Sequence, residues 1–100
     1  MVILYVTCKN SKEAEKITFH LLTKRLIACA NIFPIKSMYW WNGKIAKGKE
    51  HVIIAKTTAN NLKKAEKEIK RMHSYKVPCI LSINASANKE YLDWLKKEIK

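Results

Sequence analysis

Residues 28–58 read ACANIFPIKSMYWWNGKIAKGKEHVIIAKTT, and this stretch decides the fold of the chain. It shows no helical spacing of apolar residues and is rich in β-branched and aromatic residues, which favour strands. Two turn signals compete within it: Asn42-Gly43, the dipeptide most typical of tight hairpins, and Lys47-Gly48. We favour the later turn, with Asn42-Gly43 as a bulge or bend, but the residues alone leave the choice open.

A first strand that ran from Asn31 to Ala46 would be about 50 Å long at roughly 3.3 Å per residue. A domain of this chain's length has a radius of gyration of only about 13 Å. Such a strand has to project beyond its own domain. The projecting part carries Trp40 and Trp41, which alternate across the strand and face opposite ways. We therefore expect a partner chain to cover it.

The hydrophobic spacing outside this stretch predicts two further strands and three helices. Continuous apolar runs indicate buried strands, and apolar residues three and four apart indicate helices. The predicted elements are a strand at 2–8, a helix from 10 or 11 to 25 or 26, a helix capped within 58–61 and ended by Pro78, a strand at 79–83 and a helix at 89–99. The order β-α-β-β-α-β-α predicts an α+β, ferredoxin-like βαββαβ fold with an extra C-terminal helix. Both crossover helices would cover one sheet face, so we expect another subunit on the other face.

Length and composition restrict the class of protein. The chain has 100 residues, of which 48% are hydrophobic, which predicts one ordered domain over residues 1–100. The N-terminal apolar stretch, Met1–Val6, is too short to cross a bilayer or to serve as a signal. The three cysteines match no disulfide framework or zinc ribbon. We therefore expect reduced thiols in a cytoplasmic protein without a membrane partner.

The formal net charge of +12 suggests nucleic acid as an alternative partner. Residues 1–50 hold 9 Lys and Arg against 3 Asp and Glu, and residues 51–100 hold 11 against 5, so each half carries +6. An even spread favours a solvated surface over a clustered nucleic-acid footprint. An RNA-binding sheet of this fold would also need aromatic residues on its central strands, and His51–Lys56 has none.

The sequence supplies no catalytic constellation. A phosphate-cradling loop after the first strand would need glycine to free its backbone amides, and residues 7–11 contain none. Cys29 as a nucleophile would need an adjacent base, and neither sequence neighbour titrates. We assign no catalytic residue and predict that the protein is not an enzyme.

Five short motifs stand in one order along the chain. They are Arg25-Leu-Ile-Ala-Cys-Ala-Asn-Ile32, Tyr39-Trp-Trp-Asn-Gly-Lys-Ile45, Lys56-Thr57, His73-x-Tyr75-x-Val77-Pro78 and Tyr91-Leu92-x-Trp94-Leu95. In this order and spacing they closely resemble the CutA family of divalent-cation tolerance proteins, over essentially the whole chain. The resemblance implies a cytoplasmic homotrimer similar to the PII signalling proteins, joined by long hairpins, with small ligands or metal ions in clefts between subunits. It implies tolerance of copper and other divalent metals and no catalytic reaction.

The resemblance also implies candidate site residues. Cys29 and His73 match positions proposed for copper, and thiolate with imidazole suits copper or zinc. Two ligands do not close a site, so Cys8 or Cys79 would have to lie nearby. The alternatives are a small buried hydrophobe for Cys29 and a helix C-terminal residue for His73.

The implied ligand cleft comprises Trp41, Lys56, Thr57 and Tyr75. Oxygen ligands common in the family are replaced here by Asn42, Lys76 and Cys79, which disfavours a hard cation. No cofactor is required, and copper or another divalent ion is the candidate ligand.

Overall fold

The computed structural model describes residues 1–100 and has seven regular elements with one short 3-10 turn. The elements are β1 (Val2–Cys8), α1 (Ser11–Thr23), β2 (Cys29–Trp41), β3 (Lys44–Thr57), the 3-10 turn (Ala59–Asn61), α2 (Leu62–Met72), β4 (Ile80–Asn84) and α3 (Lys89–Glu98). The strands form one antiparallel sheet in the order β2-β3-β1-β4. This topology confirms the predicted ferredoxin-like fold with an extra C-terminal helix.

The core lies between one sheet face and the two crossover helices. Alternate residues of β1 are buried, as expected for a strand with one face on a core. Apolar residues three and four apart on α1 and α2 complete the layer. The core residues are Leu4, Val6, Cys8, Ala14, Ile17, Leu21, Leu26, Ile27, Ile53, Ala55, Ala65 and Ile69.

The hairpin turn lies at Asn42-Gly43, so the preference for Lys47-Gly48 was wrong. Trp41 pairs with Lys44 across a two-residue loop, and both loop residues have positive φ, 51° for Asn42 and 75° for Gly43. Positive φ at both positions defines a type I′ turn, whose twist matches that of the flanking strands. Gly48 instead lies within β3, opposite Ser37.

The hairpin still projects from the body of the molecule. β3 pairs with β1 only over His51–Thr57, so its first half is paired only with β2. The principal extents are 45 × 24 × 20 Å, which reflects this projection. Large apolar side chains on it are exposed, including Trp40 at 74% and Trp41 at 66%.

The sheet face opposite α1 and α2 carries further exposed apolar residues. Ile3 and Tyr5 of β1 alternate with its buried residues, and their partners in β4 are Ile83 and Leu81. Leu81 and Ile83 are each about half exposed, at 51% and 49%. This face and the projecting hairpin thus both expose several large apolar side chains. None of the helices combines the length and the apolar character needed to cross a membrane.

Candidate functional site

Three metal-ligating side chains converge where β1 ends and α1 begins. One ligand atom from each of Cys8, Glu13 and His73 lies within 4.8 Å of the other two. Cys8 is fully buried and Glu13 is 9% exposed. We call these three residues the donor cluster.

Local structure explains why the donor cluster forms. Cys8 is the last residue of β1 and points into the core. Asn10 caps α1 by accepting a 2.8 Å hydrogen bond from the Glu13 backbone N–H, which holds Glu13 in the first helical turn. His73 follows α2 directly, and its own N–H donates to the Ile69 carbonyl over 2.9 Å. The end of β1, the start of α1 and the end of α2 therefore meet at one point.

The Glu13 carboxylate joins two separate segments. Its Oε1 accepts the backbone N–H of Lys9 at 3.0 Å, and its Oε2 accepts that of Ser74 at 2.9 Å. Burial alone would raise the pKa of Glu13, but hydrogen bonds from Ser74 and Lys9 outweigh it and lower the pKa below its usual value. Glu13 is therefore a charged carboxylate that ties the loop after α2 to the start of α1.

Both ring nitrogens of His73 contact the backbone. Its Nε2 lies 2.8 Å from the Thr7 carbonyl oxygen, which can only accept, so Nε2 carries the proton. Its Nδ1 accepts the Tyr75 N–H at 3.0 Å. His73 is therefore the neutral Nε2–H tautomer, because a protonated Nδ1 could not accept this bond.

Tyr75 extends the arrangement to the hairpin. Its hydroxyl donates a 2.6 Å hydrogen bond to the Glu50 carboxylate on β3, and its ring centroid lies 4.7 Å from that of His73. Burial and the charge and hydrogen bond of Glu50 raise the pKa of Tyr75. The Tyr75 hydroxyl thus stays protonated and available as a donor.

The Cys8 side chain is a protonated thiol and not the thiolate that binds metal ions. Burial, reinforced by the charges of Glu13 and Glu50, raises its pKa to about 12. A cation would have to displace this proton, since the thiolate is the ligand form. Thiol, carboxylate and imidazole together fit a soft or borderline ion such as copper or zinc. The donor types fit such a metal even though the Glu13 carboxylate and the His73 ring already make hydrogen bonds within the protein.

Cys29 does not join His73 within one chain. Cys29 pairs with Lys56, which pairs with Ile3 at the start of β1, whereas His73 contacts Thr7 near its end. Four residues of strand separate these points by about 13 Å. The Cys29 sulfur instead lies 2.8 Å from the Tyr91 hydroxyl on α3.

The other two cysteines differ in their surroundings. Cys8 lies opposite His51, towards the other end of the sheet from Cys29. Cys79 is exposed just before β4. Cys8 is the cysteine that forms the donor cluster with Glu13 and His73.

Three of the four predicted cleft residues lie on the hairpin strands, and Tyr75 lies in the loop after α2. Trp41 is exposed at the hairpin tip, about 40 Å along β3 from Lys56. Lys56 donates to the Asn31 side-chain oxygen at 2.6 Å. Thr57 is fully buried, and its hydroxyl donates to the Leu26 carbonyl at 2.6 Å, so in one chain it is a structural residue without access to a ligand. Tyr75 alone of the four lies at the donor cluster.

Sequence reasoning named Cys8 only as one of two cysteines that could complete a site with Cys29 and His73, and it did not identify Glu13. Cys8 looked like the end of a buried strand, and Glu13 looked like an acidic residue at a helix start. Neither has a ligand-like spacing to residue 73. One signal was available, since Asn10 as an N-cap fixes the position of Glu13 close to the end of β1.

The chain matches the family described as CutA1 divalent ion tolerance protein over residues 2–98. It is 44% identical over 97 residues to the divalent-cation tolerance protein CutA of Archaeoglobus fulgidus, covering 96% of this chain and 95% of that one. It is 42% identical over 101 residues to the CutA of Pyrococcus horikoshii, covering 100% and 99%.

Solved structures show the same similarity. CutA1 from Pyrococcus horikoshii superimposes with a TM-score of 0.96 at 40% identity, covering 100% of this chain and 99% of that one. An Archaeoglobus fulgidus structure, described as a periplasmic divalent cation tolerance protein, gives 0.97 at 43% identity and covers 100% of both chains. The PII-like CutA of Nostoc gives 0.93 at 24% identity, covering 100% and 98%, which supports the fold alone.

Proposed function

We propose that this chain, which belongs to the CutA1 divalent ion tolerance family, is a homotrimeric, PII-like binding protein that takes up copper or another divalent ion and catalyses no reaction. The observation that carries the proposal is the donor cluster, where thiol, carboxylate and imidazole atoms lie within 4.8 Å of one another. Three protein ligands leave a coordination position for water or for a small ligand.

The donor cluster favours a thiophilic ion over magnesium or calcium. Hard cations prefer six or more oxygen ligands, and only Glu13 offers oxygen here. Bond lengths of about 2.0–2.3 Å place tetrahedral ligands roughly 3.3–3.8 Å apart. Since the donor atoms lie within 4.8 Å of one another, uptake requires any pair to close by at most about 1.5 Å. His73 keeps its proposed metal role, with Cys8 and Glu13 as its companions.

Cys29 keeps a separate proposed role. Its sulfur and His73 would share an ion only between two chains, because one chain holds them at different ends of β1. As a half-buried thiol beside Tyr91, it would bind a soft ion without imidazole from its own chain.

The trimer proposal is supported by the uncovered apolar surface. The open sheet face and the projecting hairpin both expose large apolar residues, which a second copy of the chain would bury. In such an assembly Trp41 at the tip of one chain would approach Lys56 or Tyr75 of another and form the ligand cleft, with Thr57 packed beneath Lys56. Light scattering should give about three times the chain mass of 11.6 kDa, and a monomer mass would overturn this part.

Zinc titration by calorimetry tests the metal proposal, since zinc has no redox chemistry with thiols. We expect Cys8→Ser and His73→Ala to weaken binding at least tenfold, because each removes one of three ligands. Cys29→Ser is the matched thiol control and should retain the wild-type affinity of the cluster. If Cys29→Ser abolishes binding and Cys8→Ser does not, the donor cluster is not the site.

We also propose that residues 1–100 form one domain that works in the cytoplasm. Three free cysteines, one of them exposed, suit a reducing compartment. Cell fractionation with compartment markers tests this, and recovery outside the cytoplasm would contradict it.

Nucleic-acid binding is the second candidate function. It is favoured by α2, where Lys63, Lys64, Lys67 and Lys70 are exposed and make no ion pair. If the protein binds a DNA duplex of random sequence and the affinity falls as salt is added, the binding reflects only charge attraction. A sequence preference would support this function.

A further inference from the structure

We propose that a cation bound at His73 necessarily releases Tyr75 from His73, so that occupancy of the donor cluster is transmitted to the base of the hairpin through Tyr75 and Glu50. This inference rests on the proposed metal site. It concerns what uptake does to the protein and not which ion is taken up.

The first step follows from the two nitrogens of His73. Nδ1 uses its lone pair to accept the Tyr75 N–H at 3.0 Å, and Nε2 uses its proton to contact the Thr7 carbonyl at 2.8 Å. Neither nitrogen has a free lone pair. A metal ion needs a lone pair, so it has to displace one of these two partners.

Both routes end in the loss of the same hydrogen bond. If the ion binds Nδ1, it takes the lone pair that Tyr75 uses. If the ion binds Nε2, the neutral ring has to carry its proton on Nδ1, and a protonated Nδ1 cannot accept the Tyr75 N–H. The Tyr75 amide loses its acceptor in either case.

The second step follows from the position of Glu50. The Tyr75 hydroxyl is fixed to the Glu50 carboxylate at 2.6 Å. Glu50 is the residue of β3 just before the segment that pairs with β1, and it pairs with Ile35 of β2. It therefore lies at the base of the projecting hairpin, where a change at Tyr75 reaches the element that we assign to the subunit interface.

The coupling predicts a reciprocal effect on affinity. The apparent cation affinity is proportional to the fraction of molecules in which Tyr75 is already released, so it is low when that fraction is small. Tyr75→Phe removes the bond to Glu50 and leaves the ring, so it raises that fraction. A hydrogen bond to a charged group is strong enough for about a tenfold gain in zinc affinity. Tyr5→Phe is the matched control, because the Tyr5 hydroxyl makes no hydrogen bond within the chain and its loss should leave affinity unchanged.

The experiment is a zinc titration of uniformly ¹⁵N-labelled protein followed by NMR. We expect the Tyr75 amide resonance to shift and the amide to lose its protection from hydrogen exchange. The ¹⁵N resonances of the His73 ring should show either loss of the Nε2–H tautomer or ligation at Nδ1. The Tyr75→Phe variant should bind zinc about tenfold more tightly than the wild type. Zinc binding that depends on Cys8 but leaves the Tyr75 amide and the Tyr75→Phe affinity unchanged would overturn the coupling and leave the proposed function standing. Absence of zinc binding in the wild type would overturn both.

Discussion

The backbone N–H of Tyr75 donates a 3.0 Å hydrogen bond to Nδ1 of His73. This bond fixes the tautomer of the imidazole, which in turn donates to Thr7 at the end of β1. With the two backbone bonds accepted by Glu13, it fastens the loop after α2 to the end of β1. The candidate site is thus also a structural junction, and variants at it should change stability as well as binding.

Glu13→Ala should lower the free energy of unfolding by about 2–3 kcal/mol. The change leaves the N–H groups of Lys9 and Ser74 without their charged acceptor in a poorly hydrated place. Glu15→Ala is the control, because Glu15 is exposed on the same helix and its loss should cost less than about 0.5 kcal/mol. Urea unfolding measures both, and equal effects would show that Glu13 does not hold the junction.

Glu68 should make the protein sensitive to acid. Hydrogen bonds from Arg71 and His20, with the charges of Arg71 and Lys24, lower its pKa from 4.5 to about 2. A carboxyl group whose pKa is lower in the folded state than in the unfolded state stabilises the protein at pH values above its unfolded-state pKa. This stabilisation is lost as the pH falls through the folded-state pKa. The melting-temperature difference between wild type and Glu68→Gln should be full above about pH 4.5 and shrink towards pH 2. A difference that does not vary with pH over this range would contradict the ion pairs.

Two glycines distinguish the hairpin turns. Gly43→Ala should destabilise the protein by about 1 kcal/mol, because Gly43 has φ of +75° and a Cβ is unfavourable in that conformation. Gly48→Ala should be neutral or slightly stabilising, since Gly48 lies within a strand and its new methyl would meet only the Tyr39 hydroxyl at 3.8 Å. Thermal melting compares the pair, and the reverse order would place the turn at Lys47-Gly48.

The position of the hairpin turn is the part of the fold that sequence reasoning predicted wrongly. β1 was predicted with its observed bounds, because a nearly continuous apolar run marks this strand along its whole length. The choice between Asn42-Gly43 and Lys47-Gly48 depends on strand twist and register, which single dipeptides signal only weakly. Asn42-Gly43 was the stronger signal, and setting it aside in favour of a longer strand was the error.

The candidate site was less predictable than the fold. His73 was identified through a motif, whereas Cys8 joins it only because β1 and the end of α2 are neighbours in space. Cys29 shares the motif-based assignment but lies towards the other end of the sheet. Sequence order gives no distance between residues 8 and 73, and only the assembled topology supplies it.

Thr18→Val should stabilise the protein by about 1 kcal/mol. The Thr18 hydroxyl is buried on α1 and has no hydrogen-bond partner within the chain, so its desolvation is uncompensated. Valine has nearly the same shape and removes the cost. Thr23→Val is a useful comparison, because the Thr23 hydroxyl donates to the Phe19 carbonyl and is exposed. A lower melting temperature for Thr18→Val than for wild type would contradict this account of Thr18.

The most direct test of the central claim is the X-ray absorption spectrum, at the zinc edge, of protein loaded with one zinc ion per chain, so that the donor cluster is filled ahead of the single thiol of Cys29. Binding at Cys8, Glu13 and His73 predicts one sulfur neighbour at about 2.3 Å and nitrogen and oxygen neighbours at about 2.0–2.2 Å. The sulfur neighbour should disappear in Cys8→Ser and persist in Cys29→Ser. A sulfur-free shell in the wild type, or a sulfur lost only in Cys29→Ser, would contradict the claim.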